Sequence, residues 1–84
     1  MENYQDKYST FTLSLAAAII TATGLQPSLI DWQTHKAEFV FDANDSFDSV
    51  IKAFWERKLA CDCLTYFENL RALKSRLYEE KHVG

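Results

Sequence analysis

The chain has 84 residues, 48% of them hydrophobic and 14% aromatic, and a formal net charge of −3. A chain this short forms one domain with a thin stability margin, because it buries only about two-thirds of the surface it exposes when unfolded. The apolar content excludes a disordered polypeptide, and the acidic balance argues against a protein held to nucleic acid mainly by phosphate contacts.

Residues 1–9 are polar apart from Tyr4 and Tyr8, lack the basic start of a signal peptide, and read as a flexible lead-in. A single compact domain is expected over residues 10–80, followed by a frayed tail at 81–84. Thr10 or Thr12 is placed to cap a helix running to about Thr23. Leu13, Ala16, Ala17, Ile20 and Thr21 recur at helical spacing, and Leu15, Ile19 and Ala22 widen the apolar arc, so this helix is expected to be buried on two sides. Its apolar run, residues 13–20, is far too short to span a bilayer. The expected compartment is the cytoplasm. Gly24 stands where a helix end favours a residue tolerant of positive φ.

Residues 25–32 should form a first strand, with Pro27 at its beginning or at an edge. Gln33, Thr34 and His35 follow as a polar connection, expected to be a longer hairpin loop because it lacks the glycine of a tight turn. Lys36 to Asp42 has the clearest alternation in the chain. Ala37, Phe39 and Phe41 point to one side and Glu38, Val40 and Asp42 to the other. Asp45 and Ser46 are N-cap candidates for a second helix, and Asp48 adds charge at its positive end. That helix should bury Phe47, Val50, Ile51, Phe54, Trp55 and Leu59. Asp62 is placed to cap a last helix from about Leu64 to Glu80, with Leu70, Leu73 and Leu77 as its spine and Tyr66, Phe67 and Tyr78 beside them. The expected fold is α+β: a two-stranded antiparallel hairpin packed against three helices, in the order α-β-β-α-α.

Catalytic signatures are absent from the sequence: it has no glycine-rich phosphate loop, no G-x-S-x-G elbow and no H-E-x-x-H. Cys61 and Cys63 are one residue apart, whereas zinc sites pair cysteines two to four residues apart and need further ligands. One of the two is expected to be buried as a small apolar side chain. Neither a metal, a cofactor nor an enzymatic activity is expected. The rings are more informative, because they exceed what a small core needs and a residual exposed patch makes a protein contact site. Trp32, Trp55 and Tyr66 are the candidate contact residues, with Glu38, Asp42 and Asp45 as acids able to imitate phosphate. The expected function is a small non-enzymatic protein-binding module whose partner is another protein or a second copy of the chain. The alternative is a nucleic-acid-associated accessory protein. Residues 1–44 hold five acids and two bases and residues 45–84 seven of each, so its basic face would lie in the second half: Arg57, Lys58, Arg71, Lys74 and Lys81.

Residues 15–24 (LAAAI…G), Glu38 to Phe41 (EFVF), Ala53 to Trp55 (AFW) and Thr65 to Tyr78 (TYFENLRALKSRLY) together resemble a family of short, uncharacterised bacterial and phage proteins known only as a domain of unknown function. The resemblance spans most of residues 10–78 and rests on packing motifs. It implies a compact stand-alone domain, carries over no catalytic residues, and suggests a phage or mobile-element protein with a role in phage–host conflict or in gene regulation. The Cys-Asp-Cys connector departs from the pattern, which would have a residue such as proline opening the last helix.

Overall fold

The computed structural model describes residues 7–33, 36–43 and 46–83, the side chains of residues 33 and 80–83 excepted. Six elements follow one another: β1 (Lys7–Thr10), α1 (Leu13–Thr23), β2 (Leu29–Gln33), β3 (Lys36–Asp42), α2 (Phe47–Trp55) and α3 (Cys63–Val83). The α+β class and the three helices agree with the sequence reading. The strand count does not, because the sheet has three strands and the order is β-α-β-β-α-α.

The extra strand is β1, drawn from residues read as lead-in. It is only four residues long, and its single apolar side chain, Tyr8, gives too little alternation to mark a strand. What makes it one is its partner. β3 lies at the centre of the sheet, in the order β1-β3-β2, and pairs antiparallel with both neighbours. Tyr8 stands opposite Phe41, and Thr10 and Ile30 flank Phe39 from the two sides. β1 and β2 therefore run parallel to each other with β3 between them, so the first two strands and α1 form a split β-α-β unit. Residues 1–6 of the expected lead-in lie outside the described residues.

The alternation of β3 is realised as expected. Phe39 and Phe41 are buried, while Lys36 is exposed and Asp42 half-buried on the other side. β2 begins at Leu29, later than expected, although Ser28 extends the ladder by donating its backbone N–H to the Val40 carbonyl at 2.8 Å. Pro27, which has no N–H to offer, is buried just ahead of the strand. Gln33 pairs with Lys36, so the connection is two residues rather than a longer loop, and Thr34 and His35 lie outside the described residues.

α1 is the hub. Leu15, Ala16, Ala17, Ala18, Ile19 and Ile20 are all buried, because the helix packs on β1, α2 and α3 together. Its small alanines permit that close approach on several sides at once. Leu15, Ala16, Ala17, Ile19 and Ile20 form one core with Ile30, Phe39, Phe41, Phe47 and Leu73. Phe47 joins the sheet to α2, meeting Phe41 and Tyr8 edge to face at 5.8 and 6.4 Å between ring centres. That geometry suits the ring quadrupoles. A polar tie also crosses from α3 to α1: the Asn69 amide donates to the Thr21 hydroxyl at 2.9 Å, and Thr21 donates to the Ala17 carbonyl at 2.8 Å.

The helix ends are well marked. α1 follows Thr12, whose N–H is held by the Thr10 hydroxyl at 3.0 Å, and it ends on Gly24 at φ 78°. Ser46 precedes α2, with its carbonyl accepting the Val50 N–H and the Ser49 hydroxyl, but its own hydroxyl does not cap the helix as expected; Asp45, the other candidate, lies outside the described residues. α2 stops at Trp55, earlier than the sequence suggests, so Leu59 falls beyond it and Trp55 is exposed. The stop is a Schellman arrangement: Lys58 N–H donates to the Ala53 carbonyl and Arg57 N–H to the Phe54 carbonyl. Arg57 takes the left-handed position at φ 64°, the only non-glycine residue described with positive φ. Asp62 caps α3 as expected, accepting the Thr65 N–H at 2.9 Å and the Thr65 hydroxyl at 2.6 Å.

Candidate functional site

Trp32, Trp55 and Tyr66 belong to three different elements. Trp32 sits near the end of β2 opposite Ala37, partly exposed. Trp55, at the last turn of α2, stands edge-on to Phe54 at 5.0 Å and is open to solvent. Tyr66 is half-buried, and its hydroxyl donates to the Ser14 carbonyl at 3.4 Å. Burial, and behind it the electrostatic influence of the Cys61 side chain, pushes the Tyr66 phenol above its ordinary range. Tyr66 is therefore a bridge between α3 and α1 more than an offered ring.

The acids are likewise separated. Glu38 and Asp42 lie on the sheet face turned away from Phe39 and Phe41, and Asp42 is ion-paired with Lys7 across the β1–β3 ladder. Glu38 stands directly opposite Asp31 of β2. Like charges in that position work against pairing. Asp45 lies outside the described residues. Cys61 and Cys63 are both exposed free thiols, so neither is the small buried apolar group expected from the sequence. Among the described residues no group of three or more His, Cys, Asp and Glu side chains is placed to hold a metal ion, and no helix is long and apolar enough to cross a membrane. Between them, Asp62 and Thr65 hold the connector in place. The Thr65 hydroxyl, and then its N–H, keep the Asp62 carboxyl below the usual carboxylate range.

The basic residues divide into two groups. Arg57 and Lys58 occupy the turn after α2. Arg71 and Lys74 lie on α3, and the side chain of Lys81 is outside those described. Among the described residues neither Arg71 nor Lys74 has a carboxylate within 4.0 Å. The Arg71 guanidinium instead sits over the Phe67 ring at 5.8 Å.

The feature that reasoning from the sequence missed is a second stripe on α3. Tyr66, Leu70, Leu73 and Leu77 face the core. Leu64, Phe67, Arg71, Lys74 and Tyr78 follow one another at steps of three and four and are all exposed. Leu64 is 64% exposed, Phe67 52% and Tyr78 67%, values far from those of a packed ring. Lys74, Ser75, Tyr78 and Glu79 border a shallow surface hollow of about 370 Å³. The signal was in the sequence. Two apolar series at helical spacing can be read along residues 64–78, and only one of them fits against α1.

No curated protein and no solved structure matches the chain. One family model does, over residues 5–79, a span that starts ahead of β1 and ends in the last turns of α3. By that match the chain belongs to the family described as Domain of unknown function (DUF5659).

Proposed function

We propose that the chain is a non-enzymatic protein-binding module, a cytoplasmic phage or mobile-element protein that binds a host protein and modulates it. The observation that carries this reading is the surplus of large apolar side chains at the surface. Trp55, Leu64, Phe67 and Tyr78 stay exposed although the core closes without them. Exposed rings of this kind supply most of the binding energy in protein interfaces, because a few aromatic anchors dominate.

The test is photo-crosslinking. Benzoylphenylalanine placed at Trp55, and separately at Phe67, should capture one and the same protein in the native cell. Adducts scattered over abundant proteins, or none, overturn the reading.

A second reading, a nucleic-acid accessory protein, is favoured by one observation: Arg71 and Lys74 lie between Phe67 and Tyr78 on the same stripe. Single-stranded nucleic acid is held by that mixture of cations and stacking rings. On this reading affinity for an oligonucleotide falls steeply with added salt, and no measurable affinity at low salt removes it.

A further inference from the structure

We infer that the outward stripe of α3 is a docking site for an acidic amphipathic helix of a partner protein. The inference rests on the protein-binding reading above and adds to it the place and the chemistry of the partner.

Three observations combine. The first is spacing. Leu64, Phe67, Arg71, Lys74 and Tyr78 repeat at the three-and-four interval of a heptad seam over about 21 Å of helix. A second helix laid along α3 meets that series with its own side chains at the same interval. The second is charge. The two ends of the stripe are apolar and its middle is cationic, and among the described residues neither Arg71 nor Lys74 has a carboxylate within 4.0 Å, although Glu79 borders the same hollow as Lys74. The third is presentation. With its guanidinium over the Phe67 ring, Arg71 is held on the stripe, where an incoming carboxylate gains both the charge and the fork geometry.

Charge also decides against a second copy of the chain. Arg71 is the midpoint of the stripe, so a parallel pair in register and an antiparallel pair in full overlap both set Arg71 against its own copy. Like charges in that place select against the homodimer and for an occupant of opposite sign. The apolar ends favour a helix over a nucleic-acid strand, because Leu64 offers a base no stacking surface and matches an aliphatic seam residue.

The probes are two synthetic helical peptides of three heptads. They are identical, with leucine at the outer seam positions, except that the central seam positions are glutamate in one and lysine in the other. Fluorescence anisotropy with the full chain should show the glutamate peptide bound at least ~10-fold more tightly than the lysine peptide. Arg71→Glu combined with Lys74→Glu should invert that preference, which also shows that the variant is folded. Failure of the glutamate peptide to bind, or equal affinity for both peptides, overturns the inference. So does tighter binding of a thymidine oligonucleotide than of the glutamate peptide, or a concentration-dependent dimer abolished by Arg71→Glu. If the peptides fail while crosslinks from Trp55 still capture a single protein, the binding-module reading stands and the α3 site falls.

Discussion

Exchanging the residues that end α1 and α2 should change stability in opposite directions. Gly24 and Arg57 both occupy the left-handed region, at φ 78° and 64°. For a residue with a Cβ that conformation costs about 1–2 kcal/mol, and glycine avoids it at a conformational-entropy cost of about 0.5–1 kcal/mol in folding. Replacing Arg57 by glycine removes the first cost and adds the second, for a net gain of about 0.5–1 kcal/mol. Gly24→Ala is the reverse. A Cβ at Gly24 meets no atom within 4 Å, so its loss of about 0.5–1 kcal/mol comes from the backbone alone. In a domain of this size 1 kcal/mol moves Tm by roughly 4–8 °C, so urea and thermal unfolding followed by circular dichroism resolve both changes. The m-value should stay constant, since neither substitution alters the surface exposed on unfolding. Arg57→Gly lowering the urea midpoint would refute the reasoning, and would mean that the arginine side chain contributes more than its backbone costs.

Phe39→Ala should destabilise the domain by about 3–5 kcal/mol, the usual range for a fully buried ring, and so leave little or no folded protein by circular dichroism. Those amides of β1 that point at β3 should exchange more slowly with solvent than those of a free end, by mass spectrometry, while the alternate amides of this edge strand exchange freely; exchange of the whole segment within seconds would return it to a lead-in. Asp62→Ala should lower the melting temperature by removing the α3 cap, while Asp62→Asn keeps much of it. Because the Asp62 carboxyl is held below its unfolded value of 3.8, its contribution is present above that pH and is lost as the pH falls through the lower folded value. The difference in stability between the wild type and Asp62→Asn should therefore shrink below pH 3.8, and a constant difference would remove the role assigned to Thr65.

The helices and the central strand were legible because their signals are local. Alternation fixed the inward side of β3, the wide apolar arc marked α1 as buried on two sides, and Gly24 and Asp62 marked helix ends through the backbone chemistry those residue types perform. β1 was not legible. Four residues with one ring become a strand only because Phe41 and Asp42 wait across the ladder for Tyr8 and Lys7, and that pairing is long-range. The end of α2 was hidden because an arginine holds a position that glycine normally marks. The contact residues were legible as a class and not as a place: rings were in excess, but which of them remain outside depends on how α3 rolls against α1. That choice buried Leu73, half-buried Leu77 and turned Phe67 and Tyr78 outward.

α1 has a cost during synthesis. Its greasy circumference is complete once residue 23 is made, yet Leu73 and Leu77, which seal one side of it, are made some fifty residues later. At ordinary elongation rates that is a delay of about 3–10 s, in which the nascent chain carries a sticky helix with half a shelter. A message truncated before the codon for Leu73 would yield a polypeptide with the sheet and α2 but without the α3 leucines that close the last side of α1. Such a fragment belongs with the chaperones, and it is the form of this protein most prone to clump.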